Sequence, residues 1–163
     1  MRLAVTGHRP DKIGGFDPMN EVRVALRKEM RTKLIELAPE KVVSGMAIGI
    51  DQDFVSVCLD LRIPFIAAVP FQGQESEWPL ASQRLYFALL DKAEHVEYVS
   101  APGYEPWKMQ KRNEWMVDWI GEDGRLLAIW DGSPGGTGNC VRYADRLGRM
   151  IVRIDPDAIV SGL

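Results

Sequence analysis

The chain has 163 residues, 46% of them hydrophobic and 26% charged, with a net charge of -3. That length fits one domain with a substantial core, and the composition excludes a disordered or membrane-embedded chain. The acidic balance argues against a dedicated nucleic-acid binder, and no apolar run is long enough to cross a bilayer.

The opening MRLAVTGHRP lacks the apolar stretch and cleavage site of a secretory signal. Cys58 and Cys140 are remote from each other and read as reduced thiols, so the expected location is cytoplasmic, with no membrane partner.

Strand-like and helix-like patterns alternate along the chain. Arg2–Thr6 reads as a short buried strand. Met19, Val22, Leu26, Met30, Leu34 and Leu37 recur at helical spacing, with Asp17 as cap, Pro18 as first helical residue and Pro39 as terminator. A strand follows over 42–44, then a helix over 51–61, a strand over 65–69 and a helix from Pro79 to Leu90. Residues 95–99 alternate in polarity, as an edge strand does. Pro106 opens a helix reaching Trp119, followed by a strand over 125–130, a helix over 141–147 and a last strand over 150–154. The expected fold is α/β and Rossmann-like: one domain with a doubly wound, mainly parallel sheet of about six strands and helices on both faces.

Three strand-to-helix junctions are rich in small residues, and in such sheets ligands bind at the carboxyl rim. The first is Thr6-Gly7-His8-Arg9-Pro10. The second is Ser44-Gly45-Met46-Ala47-Ile48-Gly49-Ile50-Asp51. The third runs from Asp131-Gly132-Ser133-Pro134 through Gly135-Gly136-Thr137-Gly138-Asn139. Glycine permits close ligand approach, and the N–H groups of the next helix start attract an anion. None is a P-loop or a GxGxxG loop, and each alone is more often just a tight turn, but all three following alternating strands favours a shared ligand site.

Individual residues carry paired readings. His8 and Arg9 are donors to a ligand phosphate, or a turn histidine and a partner of Asp11. Asp51 binds ribose hydroxyls or caps its helix, and Asp53 reads as a cap. In the loop holding Gln72, Gln74, Glu75 and Trp78, the tryptophan stacks on a base with glutamine reading its edge, or plugs the loop. Arg84 reads as solvated. Trp115 and Trp119, four residues apart, read as core or dimer-interface packing, while Arg112 and Asn113 face the rim with Trp107. Asp131 binds a sugar hydroxyl or caps a turn, Thr137 donates to phosphate, and Asn139 caps the final helix. No metal is expected: the histidines are remote, CxxC and HxxxH are absent, and Asp51-Gln52-Asp53 sits at a helix start. No Ser-His-Asp or Cys-His arrangement occurs either.

The motifs resemble those of one superfamily. SGMAIGID is similar to the SGxAxGID signature of DprA proteins, matched at Gly45, Gly49 and Asp51. PGGTGN is similar to the PGGxGT signature of LOG phosphoribohydrolases, matched at Pro134, Gly135, Gly136 and Gly138. TGHRP, RNEWMVD and WDGSPGGTGN are most similar to the small YpsA-like proteins of the same SLOG superfamily, members of which also occur among phage genes. The resemblance implies a Rossmann-like domain for nucleotides or their derivatives, with Arg112 matching a catalytic arginine of LOG enzymes and oligomerisation expected. Two positions depart from the signatures. The LOG glutamate position is Arg142, and a position often arginine in DprA is Ile48.

The functional expectation is a nucleotide-like small molecule bound by the three loops, in a sensor or processing protein, without a certain cofactor. The alternative is a nucleoside 5′-monophosphate N-glycosidase, for which a carboxylate is required near the anomeric carbon. Its catalytic candidates are Arg112, Asp51 and Glu114, with Glu75, Asp118 and Asp131 as further acids. Single-stranded DNA binding ranks third.

Overall fold

Six short strands pair in parallel in one sheet. The computed structural model describes residues 1–163. In chain order these strands are β1 (Arg2–Gly7), β2 (Lys41–Ser44), β3 (Phe65–Val69), β4 (His95–Tyr98), β5 (Arg125–Ile129) and β6 (Met150–Ile154). Their order across the sheet is β4-β3-β2-β1-β5-β6. Successive crossovers first move outward from β1 to β4, and the chain then returns to the other side of β1. The order therefore reverses between β1 and β5, the place where an open α/β sheet leaves a crevice at its carboxyl ends. The alternating β4 is indeed an edge strand.

Side-chain alternation along the strands sends residues to opposite faces. Leu3 and Val5 join a core of 21 buried residues with α1 (Glu21–Leu37), α2 (Ile50–Asp60) and α3 (Leu80–Leu90). Ala4 between them joins a second core of 12, with α4 (Pro106–Ile120) and α5 (Gly136–Arg146) on the other face. Trp115 and Trp119 pack partly buried against that second core. A short α6 (Pro156–Ser161), opened by the cap residue Asp155 and by Pro156, lies beyond the elements expected from the sequence. No helix is long and apolar enough to cross a membrane.

Two helix starts differ from the sequence reading. Asn20, not Asp17, caps α1: its side chain accepts the Arg23 N–H at 2.9 Å. Asp17 instead closes a turn by accepting the Met19 N–H at 2.9 Å, so Pro18 and Met19 lie outside the helix. The final long helix begins at Gly136, five residues ahead of the expected Val141. Glycine disfavours helix interiors, which hid this turn, but its first turn is closed by a 2.9 Å bond from the Asn139 N–H to the Gly135 carbonyl. Asn139 therefore lies inside α5 and is not its cap.

Candidate functional site

At the β1/β5 crevice the loops after β1, β2 and β5 enclose a cavity of about 310 Å³. Thr6, Gly7, His8 and Arg9 reach it from β1, Ala47 and Asp51 from the β2 loop and α2, and Ser133–Gly138 from the β5 loop and α5. Arg112 and Asn113 enter from α4.

The two glycine-rich helix starts have different occupants. At α2, Gly49 is the cap residue, with φ 104°, and a Cβ there would sit 2.9 Å from the His8 carbonyl. Gly7 has a matching reason: its Cβ would lie 2.6 Å from Ile50 Cβ. These glycines let the β1 end and the α2 start touch. Gly45 makes room for a side chain. A Cβ there would stand 2.6 Å from Cζ of Arg112, whose Nη1 donates to the Gly45 carbonyl at 2.6 Å and to the Ala68 carbonyl at 3.4 Å. Its Nε donates to Asn113 Oδ1 at 3.0 Å. The rest of this loop is held from within. Ser44 Oγ donates to the Asp51 carbonyl at 2.9 Å, Asp51 Oδ2 accepts the Ala47 N–H at 3.2 Å, and Gln52 donates to the Met46 carbonyl at 3.3 Å.

At α5, Gly135 adopts φ 139°, and nothing approaches the Cβ positions of Gly135 or Gly136 within 4 Å. The N–H groups of a first helical turn lack intrahelical partners and carry the positive end of the dipole. Here they open on the cavity. Asn113 Nδ2 donates to the Gly136 carbonyl at 3.4 Å and ties α4 to this turn.

Charge in the cavity leans positive. Arg9, Lys12 and Arg112 face Asp11 and Asp51. Burial pushes the Asp51 carboxyl up from its ordinary value, against Arg112, the Ala47 N–H and Arg9. Burial likewise lowers Arg112, opposed first by Asp51. Asp131 is outside the cavity wall and acts as a latch. Its Oδ1 accepts the Ser133 N–H at 2.9 Å, and Lys12 Nζ stands 3.6 Å from its Oδ2. Buried His8 places Nε2 3.1 Å from the Asp131 N and 3.0 Å from its Oδ1. A neutral ring accepts from that N–H, while a protonated ring donates to the carboxylate. The Ser133 hydroxyl and N–H, then His8 and Lys12, hold the Asp131 carboxyl well below the usual range.

Several sequence-derived candidates lie elsewhere. Ser44, Gly45, Met46 and Gly49 shape the β2 loop but do not line the cavity, nor does Gly132. Asn139 is exposed and pairs with Arg142, the residue at the LOG glutamate position. Glu114 is half-buried and off the wall, and Asp118 accepts from the Tyr143 hydroxyl at 2.8 Å. Asp53 is no simple cap: Arg23 grips both its oxygens at 2.8 Å, and both side chains are buried. Arg84 is exposed. Gln74 and Trp78 line a second, neighbouring groove, and Trp78 also stacks edge-on against Tyr86 at 5.4 Å. Trp107 is exposed and lines neither space.

Four wall residues escaped the sequence reading. Asp11 and Lys12 follow Arg9 in a single 3₁₀ turn, Pro10–Lys12, which brings Lys12 back over the cavity. Met109 and Met116 lie three before and four after Arg112 on α4, so helical spacing places all three on one face. The i−3 and i+4 spacing from Arg112 is the sequence signal that marks them.

The comparisons with known proteins agree with this architecture. DNA processing protein A of Streptococcus pneumoniae superposes with a TM-score of 0.67 at 21% identity, over 94% of this chain and 50% of that one, so this chain spans half its length. The SPbeta prophage-derived protein YoqJ of Bacillus subtilis is 32% identical over 136 residues, 72% of this chain and 77% of that protein. A UPF0398 protein of Shouchella clausii is 30% identical over 146 residues, covering 81% and 76%. The model of the YspA SLOG family matches residues 3–141. The chain therefore belongs to the YspA SLOG family.

Proposed function

We propose that this protein binds a nucleotide or nucleotide-derived ligand in the cavity at the β1/β5 crevice, as a sensor or processing protein. The observation that carries the reading is the open first turn of α5 facing Arg9, Lys12 and buried Arg112 across about 310 Å³. A phosphate takes the α5 N–H groups, where dipole and unpaired donors favour an anion. Asp51 faces the sugar. Melting curves with nucleoside monophosphates, NAD and ADP-ribose derivatives test this. A ligand at a hundred times its Kd adds about 2.7 kcal/mol, or roughly 5–10 °C for a domain of this size. The absence of a shift with every compound at saturating concentration overturns the reading.

One observation supports N-glycosidic cleavage as the second reading. Asp51 is a buried carboxyl within the cavity whose proton affinity is raised by burial, as a general acid requires. The expected result is free base released from a nucleoside monophosphate and abolished by Asp51→Asn. Intact nucleotide after prolonged incubation leaves binding alone. Nucleic acid is not the proposed partner, given the charge of -3 and the apolar Ile48. A salt-sensitive gel shift with single-stranded DNA would reverse that.

A further inference from the structure

The cavity does not end at Arg9. A groove of about 610 Å³ continues from it, and Arg9, Asp11 and Met109 belong to both walls. The character changes across that boundary. The cavity is polar, whereas the groove presents Phe16, Phe71, Trp78 and Tyr104. Phe16 and Tyr104 are 55% and 68% exposed, so large aromatic surface faces solvent beside an anion site.

Gln74 gives the groove a polar demand. Its side chain is buried, and Nε2 donates to the Gly45 carbonyl at 3.3 Å and to the Tyr86 hydroxyl at 3.5 Å. Turning the amide over would set two carbonyl oxygens against each other, so Oε1 is committed as an acceptor. It has no donor. A buried acceptor without a donor costs about 1–3 kcal/mol, and a ligand N–H removes that cost. Gln110 Oε1 is also unpartnered, but Gln110 lines neither space.

We propose that the groove holds the base of the ligand whose phosphate sits at α5, and selects an amino-bearing base (adenine, cytosine or guanine) that donates to Gln74 Oε1. This rests on the nucleotide-binding reading above. The aromatic walls supply stacking, which every base accepts, and Gln74 supplies the discrimination. Oε1 is sealed from solvent, so the base reaches it by a small shift of the Gln74 side chain.

Calorimetry with AMP, CMP, GMP, UMP, purine riboside 5′-monophosphate and ribose 5-phosphate tests the assignment. Purine riboside 5′-monophosphate keeps the purine ring but has no N–H on the base. At least one amino-bearing nucleotide should bind about tenfold tighter than purine riboside 5′-monophosphate. Gln74→Leu should erase that difference and leave ribose 5-phosphate unchanged. Tyr104→Ala, at an exposed position, should weaken the preferred nucleotide fivefold or more without affecting ribose 5-phosphate. If Gln74→Leu fails to fold, the wild-type series and Tyr104→Ala decide. Equal affinity for amino-bearing and N–H-free nucleotides overturns the Gln74 contact. Ribose 5-phosphate binding as tightly as the nucleotides overturns the groove's occupant while the phosphate site stands. Silence from all six compounds overturns the groove assignment, and silence that extends to NAD and ADP-ribose overturns the phosphate site as well.

Discussion

The loops after β2 and β5 look alike as strings of small residues, yet they are built for opposite purposes. The β2 loop is filled by its own protein: Ser44, Asp51, Gln52 and Arg112 all bind its backbone. Its glycines exist because something is already there, Arg112 at Gly45 and the His8 carbonyl at Gly49. The β5 loop leaves space. No atom lies within 4 Å of a Cβ at Gly135 or Gly136, and the helix start behind them faces the cavity. Glycine marks close approach in both, but only the β5 loop leaves that approach open to a ligand.

Substitutions at matched glycines separate the two cases. Gly45→Ala drives the Arg112 guanidinium from its carbonyl bonds and leaves a buried cation short of acceptors, for an expected loss of about 2–3 kcal/mol in urea denaturation. Arg112→Ala removes the same bonds, so the double variant should lose much less than the sum of the singles. Additive losses would show that Gly45 serves something other than Arg112. Gly136→Ala meets no neighbour and should leave stability unchanged or raise it by about 0.5 kcal/mol. Its methyl group instead crowds the space proposed for phosphate, so nucleotide affinity should fall about tenfold, or 1.4 kcal/mol. A stable variant with unchanged affinity would erase the contrast between the loops.

The contrast also explains what the residues disclosed unaided. Alternating strands and helices, the edge position of β4 and the rim location of all three loops follow from periodicity, because each is a local pattern repeated along the chain. Arg112 and Asn113 were placed at the rim, where they do sit. The function of Gly45 was not legible, because its reason stands 67 positions away in Arg112. The same holds for Asp53, read as a cap but held in a buried ion pair by Arg23, 30 residues earlier. The early start of α5 escaped for a different cause. Helix propensity counts glycine against a helix, while the first turn here is tied from α4, where Asn113 Nδ2 donates to the Gly136 carbonyl at 3.4 Å.

The smallest expected effect concerns what keeps the β5 loop open. Asp131 ties Ser133 to His8 and Lys12, bridging the loops after β1 and β5 across the crevice. Its carboxyl is held below the usual range in the folded protein, first by the Ser133 hydroxyl and N–H. A depressed folded-state value means that the unfolded chain takes up the proton first. The stabilisation is therefore complete above the unfolded carboxylate range, near pH 4, and disappears as pH falls through the folded value. Asp131→Asn should cost at most about 1 kcal/mol at neutral pH, because solvent still reaches this side chain. The gap between wild type and variant should stay flat above about pH 5 and close progressively below about pH 4. A gap that persisted undiminished into strong acid would mean that the β5 loop is held by its backbone alone. The latch across the crevice would then have no part in keeping the α5 start exposed.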